Sequence, residues 1–557
     1  MDREESISNI ADYLAINAKK MPDRTALLMP KRRFSIGKTC WIKKTFQELH
    51  EEVEELMGIF NERFHISPQH RVLLVIRPGY ELITSVFALM RLGAIPIVID
   101  SGMSLRQFFA CARKSTPDFL LGTGALRWRF ALLKPFFMPE LRTIWLTYSS
   151  YRSKKHTHLL NISSHKISPP TPQADDPAAI LFTSGSTGTA KGVLYRHRHF
   201  TAQLKALKDN YPLQEGGVDI SLLPIFSLFN PILGRTTVLP EMNAMKPSQL
   251  QAKKIIKAIQ THHVTSSFGA PVLWRKIALY CRQQSIQLPD IRFLFLAGVS
   301  CDIPTLELLR SIIPNADIHT PYGATEALPI ADIRCDEILF KWKIFQENGV
   351  GTCVGKPVTD TKIRIIKPIE GTISSWNPSW ELSTGYIGEI IVSGPMVTET
   401  YDHEIEKTRM AKIYDGAVVW HRTGDMGFLD QQGRLWFCGR KAECIAVDDT
   451  IFYPDCTEPF FLKHPHVARC ALIGLHRKKQ LVPAIVIQPK RGHYPLWSFS
   501  RYRFIKELRA LAQRYEKTSL IQNFFFCRKL PVDVRHNAKI HRLALGQKYG
   551  RRTLLNF

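Results

Sequence analysis

A ten-residue loop in the first half of the chain carries the residue types that bind phosphate. Residues 183–192 read TSGSTGTAKG and follow an apolar run at 178–182 that predicts a buried strand. Glycines let backbone N–H groups approach phosphate oxygens, hydroxyls add donors, and the lysine adds a positive charge. The loop is not a Walker A loop, because no Ser or Thr follows Lys191. It therefore indicates a polyphosphate site, and an ordinary flexible Gly/Ser loop is the alternative.

A second segment places an aromatic ring, a hydroxyl and a carboxylate within five residues. Residues 321–330 read PYGATEALPI and follow an apolar, strand-like stretch. Gly323 indicates a turn, and Tyr322 could stack on a purine. Glu326 could bind Mg²⁺ through a carboxylate oxygen, which is the ligand type this ion prefers.

Two later segments add three more candidate residues. Asp425 lies in HRTGDMG (421–427) and is a candidate acceptor for ribose hydroxyls, whereas Arg440 is a candidate donor. Lys539 lies in a polar, loop-like segment, PVDVRHNAKIHR (531–542). Each signal is weak alone, since Thr-Gly-Asp is usually a turn and a lone lysine is usually solvated. They support a nucleotide site because they follow the phosphate-type loop in this order along the chain.

In that order the segments resemble the adenylate-forming superfamily, which includes acyl-CoA synthetases, luciferases and peptide-synthetase adenylation domains. The resemblance covers most of the 557 residues and includes TFQEL (45–49), RLGAIP (91–96) and GEIIVSG (388–394). It implies an α/β fold. A large N-terminal domain of layered sheets and helices would span residues 1–439, and a small α+β lid domain would span residues 440–557.

The resemblance also implies ATP and Mg²⁺ as cofactors and a role for the matched residues. The loop would hold the β- and γ-phosphates, Tyr322 would stack on adenine, and Thr325 would contact the α-phosphate. The implied nucleotide-binding residues are Thr183, Ser184, Gly185, Ser186, Thr187, Gly188, Lys191, Tyr322, Gly323, Thr325, Asp425 and Arg440.

Lys539 matches the lysine that bridges the substrate carboxylate and the α-phosphate during adenylation, and Glu326 matches the Mg²⁺ ligand. A carboxylate must attack an anionic phosphorus, so the enzyme must neutralise charge and align the two groups. The implied catalytic residues are therefore Lys539, Glu326, Thr325 and Lys191. No Ser-His-Asp triad is needed.

Three positions depart from the pattern of thioester-forming members. Ala442 occupies the hinge position, and Asp449 replaces a glycine that lets a pantetheine arm pass the backbone. Ser227 stands where many acyl-CoA synthetases have a gating histidine. These departures resemble the β-lactone synthetases of bacterial olefin pathways, as do YGATEALP (322–329), PDCTEP (454–459) and VDVRHNAKI (532–540).

The implied reaction adenylates a long-chain β-hydroxy fatty acid, whose own hydroxyl then closes a four-membered lactone and releases AMP. Holding the substrate folded in a dry site favours such an intramolecular attack. His536 and His541 are candidate bases, although each is more simply a solvated or structural histidine. The alternatives are a long-chain fatty-acid–CoA ligase, a fatty acyl-AMP ligase, or a non-catalytic nucleotide-binding or membrane-surface protein. Olefin-pathway-type enzymes would be the partners.

Alternating elements must position these residues. Strand-like runs at 72–76 and 95–99 alternate with helical stretches at 48–60 and 82–92, which indicates α/β layers. With 557 residues, 45% of them hydrophobic, the chain can bury a large core and should form more than one domain.

Composition bounds the compartment and the partners. The eleven cysteines lack zinc-like or Cys-x-x-Cys spacing, and we find no signal core or membrane span, so we expect a cytoplasmic protein. The net charge of +26 is a reason to consider nucleic acid as a partner. However, Phe504, Leu508 and Leu511 recur at helical spacing within the most basic stretch, which predicts one buried and one solvated helix face. We expect no nucleic acid and favour peripheral contact with anionic lipid surfaces.

Overall fold

The computed structural model describes residues 7–31, 40–100, 102–124, 127, 138, 140–146, 171–183, 190–243, 247–477, 480–533 and 539–550. All eleven cysteines lie within these ranges as free thiols. Among the residues described, we find no helix that combines the length and the apolar character needed to cross a membrane.

The strands are β1 (Thr25–Lys31), β2 (Cys40–Thr45), β3 (Arg71–Val75), β4 (Ile95–Ile99), β5 (Phe119–Thr123), β6 (Arg142–Leu146), β7 (Pro177–Thr183), β8 (Lys191–Arg196), β9 (Val218–Asp219), β10 (Thr236–Val238), β11 (Ser266–Gly269), β12 (Phe293–Leu296), β13 (Asp317–His319), β14 (Tyr322–Ala324), β15 (Ala327–Asp332), β16 (Thr352–Pro357), β17 (Lys362–Ile366), β18 (Gly388–Ser393), β19 (Lys412–Asp415), β20 (Val418–Leu429), β21 (Leu435–Arg440), β22 (Ile445–Val447), β23 (Thr450–Phe452), β24 (Val467–Arg477), β25 (Gln480–Pro489) and β26 (Asn523–Phe526).

The α-helices are α1 (Asp12–Lys20), α2 (Phe46–Glu62), α3 (Tyr80–Leu92), α4 (Leu105–Lys114), α5 (His197–Asn210), α6 (Phe229–Ile232), α7 (Ala252–Thr261), α8 (Pro271–Gln283), α9 (Ile303–Ile312), α10 (Cys335–Glu337), α11 (Lys343–Glu347), α12 (Ile405–Ala411), α13 (Pro454–Leu462), α14 (Ser498–Gln513) and α15 (Arg542–Gly550). Short 3-10 helices span Pro224–Leu228, Pro247–Gln249, Pro378–Trp380, Lys441–Glu443 and Glu516–Thr518, and a π-helical turn spans Ile338–Trp342.

Two largely parallel sheets form the first layers. One sheet runs β13-β12-β11-β9-β10-β1-β2 and the other runs β6-β5-β3-β4-β7-β8. Helices α2 and α3 pack beside the second sheet, and α2 begins at a capping box in which Thr45 and Glu48 bond each other's backbone N–H groups. Parallel strands covered by helices explain why the central strands read as continuous apolar runs.

A third, largely antiparallel sheet positions the polar segments. It runs β14-β15-β16-β21-β20-β18-β17, and β19 also pairs with β20. Strand β14 carries Tyr322, β20 carries Asp425, and β21 ends at Arg440, so one sheet brings together residues that are more than a hundred positions apart.

The last part of the chain has its own small core. A three-stranded sheet, β24-β25-β26, packs against α14 on one face and α15 on the other. The β22–β23 hairpin and α13 connect it to the strands that precede it.

The sequence analysis is confirmed for the fold class, an α/β protein with a large layered part and a small C-terminal α+β part. The apolar run at 178–182 lies in β7, the run at 95–99 is β4, and the helical stretch at 82–92 lies in α3. The boundary at residues 439 and 440 stays a prediction.

Candidate active site

One half of the site is a buried carboxylate held by a cation and a phenol. Asp425 and Arg440 are cross-strand partners in β20 and β21. Arg440 Nη1 lies 2.9 Å from Asp425 Oδ1 and also donates to the Thr423 carbonyl at 3.1 Å. The Tyr322 hydroxyl donates to Asp425 Oδ2 at 2.5 Å. Both oxygens of Asp425 are therefore oriented by neighbours.

The electrostatics of this half keep one acceptor available. Burial raises the pKa of the Asp425 carboxyl, and Arg440 and the Tyr322 hydroxyl oppose that shift. The Asp425 charge in turn raises the pKa of Arg440. Oδ1 of Asp425 is buried and accepts no hydrogen bond within the described residues, although Arg440 lies close. Such an atom suits a ligand hydroxyl that can donate to it.

The other half joins a lysine, a phenol and a glutamate. The Tyr401 hydroxyl donates to Glu326 Oε1 at 2.6 Å. Lys191 Nζ donates to the same hydroxyl at 3.5 Å and lies 4.6 Å from the centre of the Tyr401 ring. Lys191 opens β8 and pairs with Thr183 at the end of β7, so the hairpin carrying the phosphate-type loop starts and ends at this cluster.

A buried shell fixes the backbone of Glu326. The N–H and the hydroxyl of Thr398 donate to the Glu326 carbonyl at 2.9 Å and 3.2 Å. The Thr398 carbonyl in turn accepts from Lys412 Nζ, and only 1% of Lys412 is exposed. Burial lowers the pKa of Lys412 to about 8, while Glu326 opposes the shift. His421 is also buried, and burial lowers its pKa to about 3, so its ring is neutral at pH 7.

These neighbours determine the charge of Glu326. Burial disfavours its carboxylate, but His421, which gains charge at low pH, the Tyr401 hydrogen bond and the Lys412 charge hold the pKa of Glu326 below its usual value. Burial also disfavours the charged form of Lys191: it lowers the pKa of the lysine, and the Glu326 charge opposes that shift. The cluster therefore presents an ionised carboxylate beside a desolvated cation.

Lys539 reaches the first half of the site from the C-terminal part. The backbone N–H of Asp533 donates to the Lys539 carbonyl at 3.0 Å, and residues Val532 and Ile540 form a β-bridge. Burial and Arg440 lower the pKa of Lys539, and Asp425 opposes them. The lysine thus lies within the electrostatic field of both groups.

Arg542 anchors the segment that carries Lys539. Its guanidinium forms a two-point contact with Glu458, at 2.8 Å and 2.9 Å, and a third contact with Glu443 at 3.0 Å. Glu458 lies in α13, and Glu443 lies in the 3-10 turn that follows β21. A planar fork of this kind fixes direction as well as charge.

The structure brings together most of the predicted site residues that it describes. The Thr325 carbonyl accepts from the Tyr195 hydroxyl. A Cβ at Gly323 would lie 2.8 Å from the Ala327 carbonyl oxygen, so this close approach needs glycine. The predicted residues outside the described part of the chain are Ser184, Gly185, Ser186, Thr187, Gly188 and the candidate base His536.

Of the three positions that depart from thioester-forming enzymes, two are exposed and one is buried. Ala442 is exposed in the turn after β21, and Asp449 is exposed at the tip of the β22–β23 hairpin. The neighbouring Asp448 takes the left-handed conformation, with a φ of 50°. Ser227 is buried, and the second candidate base, His541, is exposed.

Sequence reasoning missed Tyr401, Lys412 and His421. Tyr401 lies 75 positions from the carboxylate it contacts, and no short pattern surrounds it. Lys412 gives one usable signal, because a lysine just before an apolar strand residue can be buried. Only the folded chain shows that these three residues surround Glu326.

A layered α/β fold in which two polar clusters meet beside a C-terminal lysine defines a class of nucleotide-binding enzyme. A family model described as AMP-binding enzyme matches residues 14–402, which is more than half of the chain. The chain belongs to the AMP-binding enzyme family, and the predicted AMP-forming, adenylate-type enzyme class is confirmed.

Two curated relatives match nearly the whole chain. The olefin beta-lactone synthetase of Xanthomonas campestris pv. campestris is 34% identical over 553 residues, covering 97% of each chain. The olefin beta-lactone synthetase of Stenotrophomonas maltophilia is 34% identical over 546 residues, covering 96% of each chain. Among solved structures, the o-succinylbenzoate coenzyme A synthetase of Bacillus subtilis in complex with ATP and magnesium ion has a TM-score of 0.72. It is 23% identical and covers 95% of this chain and 98% of its own.

Proposed function

We propose that the protein activates a fatty-type carboxylic acid with ATP and then cyclises a β-hydroxy acid to a β-lactone. The observation that carries this proposal is the 34% identity to two olefin beta-lactone synthetases over nearly the full length of all three chains. Two of the segments that resemble β-lactone synthetases, residues 322–329 and 532–540, contain the site residues Tyr322, Glu326 and Lys539.

The Asp425 cluster supports a nucleoside site. Tyr322 would face the adenine ring. Oδ1 of Asp425, which lies close to Arg440 but accepts no hydrogen bond within the described residues, would take a ribose hydroxyl. Because Asp425 is already oriented by two neighbours, little conformational freedom is lost on binding. Thr183 and Lys191 would hold phosphates from the hairpin ends.

Glu326 fits a magnesium site. It offers ionised carboxylate oxygen, which is the donor this ion prefers, and Mg²⁺ is usually held by one or two carboxylates with phosphate oxygens and waters. Bound Mg²⁺ would neutralise charge on the phosphates during adenylation.

Lys539 and Lys191 supply the remaining positive charge. In adenylation the carboxylate oxygen bonds to the α-phosphorus, and pyrophosphate leaves with the electron pair of the broken P–O bond. Lys539, near Arg440, would align the two anions as they meet. In cyclisation the β-hydroxyl oxygen bonds to the acyl carbon, AMP leaves with the electron pair, and the hydroxyl proton passes to a base.

An aromatic row supports a site for the acyl chain. Phe268, Phe295 and His319 are successive neighbours across β11, β12 and β13, so their side chains share one face of the sheet. The Phe226 ring stacks on Phe268 with 3.8 Å between the ring centres. The row ends at His319, whose Nδ1 lies 2.6 Å from Asp332 Oδ2. We propose this face for the hydrocarbon chain.

The same row offers a proton acceptor. In the tautomer that donates from Nδ1 to Asp332, the Nε2 atom of His319 has no hydrogen-bond partner within the described residues and could accept the hydroxyl proton during ring closure. Asp332 would then stabilise the imidazolium that forms. We favour His319 over His541, one of the two candidate bases named from the sequence, because His541 is exposed.

Product analysis by mass spectrometry tests the proposal. Purified protein is incubated with Mg-ATP and a long-chain β-hydroxy acid, with and without CoA, beside a Lys539→Ala control. AMP and a product that has lost one water, formed equally well without CoA, support the β-lactone synthetase. Acyl-CoA that forms only with CoA would assign the protein to the ligases instead.

The remaining partner and location assignments are also proposals. The acid substrate would be long-chain, and olefin-pathway-type enzymes would supply or consume the substrate and product. A cytoplasmic location is consistent with the reaction, since ATP is consumed.

A further inference from the structure

Four large apolar side chains stand exposed at the start of α14 and in the turn before it. The exposed fractions are 71% for Leu496, 78% for Trp497, 78% for Phe499 and 53% for Tyr502. A group of large apolar side chains left exposed within seven positions points to an interaction site, because folded monomers rarely expose large apolar patches.

The core does not need these four side chains. Helix α14 buries its opposite face, where Phe504, Leu508 and Ala512 pack on the β24-β25-β26 sheet. The helix is therefore fixed by one face and presents its first turn to solvent. This arrangement would hold the four apolar side chains in a fixed orientation.

Basic residues flank the apolar ones along the chain. Residues 490–509 contain six Lys or Arg residues and one acidic residue, Glu507. Glu507 contacts Arg503 at 3.1 Å and His464 at 3.2 Å. The six basic residues are Lys490, Arg491, Arg501, Arg503, Lys506 and Arg509.

We propose that this surface, which we call the α14 patch (Leu496, Trp497, Phe499, Tyr502 and the six basic residues), docks on an anionic lipid membrane. Trp and Phe favour the boundary between lipid headgroups and acyl chains, and basic side chains add attraction to anionic headgroups. Residues 490–509 carry six positive side chains and one negative side chain, and an anionic lipid surface complements both this charge and the exposed aromatic rings. The net charge of +26 acts in the same direction.

The proposal does not depend on the lactone-forming reaction, and its test uses binding instead of turnover. Full-length protein is floated with phosphatidylcholine vesicles, with and without phosphatidylglycerol. We expect flotation that requires phosphatidylglycerol and weakens with salt, because the charge contribution is screened. Absence of flotation with either vesicle would overturn the proposal.

Paired variants separate the apolar from the charged contribution. Trp497→Ser/Phe499→Ser should lower the lipid partition coefficient by about tenfold or more, because each side chain would lose its buried apolar area. The matched control is Ile405→Ser, since Ile405 is 68% exposed but flanked by Glu404 and Glu406. Equal losses in both variants would contradict the α14 patch.

Charge removal gives an independent readout. Arg501→Gln/Lys506→Gln should lower partition by about fivefold for each charge removed. Lys253→Gln/Lys257→Gln on α7 removes the same charge from another exposed helix face and should have little effect. ATP–pyrophosphate exchange at the wild-type rate shows that each variant folds.

A fluorescence measurement covers the case in which the serine variant is unstable. Trp497→Phe keeps the apolar character and should still bind vesicles. It should also lose the part of the tryptophan quenching that brominated lipids cause in the wild type. Quenching identical to that of the wild type would place the membrane contact elsewhere.

If the wild type instead forms a dimer that Trp497→Ser/Phe499→Ser dissociates, and no vesicle binds, the patch joins two copies and the proposal is wrong.

Discussion

Removing one hydroxyl, in Tyr401→Phe, tests whether Glu326 is the metal-binding carboxylate. The hydroxyl lies 2.6 Å from Glu326 Oε1 and 3.5 Å from Lys191 Nζ, so it joins the two charged groups of that half of the site. The ring itself is buried, with only 4% of the residue exposed, and phenylalanine keeps its packing. The variant therefore changes polar contacts with little change in volume.

The magnitude follows from the type of bond. A hydrogen bond to a charged acceptor contributes about 1.5–3 kcal/mol, which corresponds to about ten- to hundredfold in an equilibrium or a rate. We expect ATP–pyrophosphate exchange at limiting Mg²⁺ to fall within that range. The Tyr401 hydrogen bond lowers the pKa of Glu326, so its loss should raise that pKa. Since metal binding needs the ionised carboxylate, the acid limb of the pH profile should move to higher pH.

A second tyrosine provides the matched control. Tyr549 is buried, and its hydroxyl donates to the neutral Phe526 carbonyl at 3.3 Å, within the C-terminal part of the chain. Tyr549→Phe should leave the exchange rate, its Mg²⁺ dependence and its pH profile close to those of the wild type. If Tyr401→Phe behaves like this control, the assignment of Glu326 as a hydrogen-bonded metal ligand is refuted.

Three other variants test separate parts of the structure. Asp425→Ala should weaken ATP binding by about tenfold or more, measured by calorimetry, because a charged acceptor for the ribose is lost; unchanged affinity would contradict the ribose assignment. Arg542→Lys keeps the charge but loses the two-point contact with Glu458, so urea unfolding should show a loss of about 1–3 kcal/mol. Burial lowers the pKa of His197 to about 4 from 6.5, so the unfolded state binds a proton first as pH falls. His197 should therefore contribute a loss of about 3 kcal/mol of unfolding free energy between those two pH values. His197→Asn should show a smaller loss, and an unchanged pH dependence would argue against a neutral buried histidine.

The sequence predicted the strands and helices well where local pattern decides them. The run at 95–99 became β4 because apolar β-branched residues suit a parallel strand covered on both faces. Helix α2 could be located from its periodicity, and Thr45 with Glu48 marks its start. These elements follow from neighbours a few positions apart.

The first contacts of the site could be predicted, but not the groups that hold them. Tyr322, Asp425 and Arg440 lie in short motifs whose order along the chain carries the signal. Tyr401 and Lys412 have no such motif, because their role depends on β8, the turn between β14 and β15, and β19 meeting in space. Long-range packing of this kind leaves no local periodicity to detect.

The anchoring of Lys539 links the departures at the hinge to the proposed reaction. Arg542 ties the Lys539 segment to Glu458 in α13 and to Glu443 beside the hinge position Ala442. Arg542, Glu458 and Glu443 all lie within the predicted lid domain, residues 440–557, so these ion pairs fix Lys539 relative to the lid and would move with it. An enzyme that must admit a second, thiol substrate after adenylation gains from a lid that can carry its lysine away from the nucleotide. A reaction in which the attacking hydroxyl is already part of the substrate does not need that movement, so a non-glycine at position 449 is compatible with that chemistry.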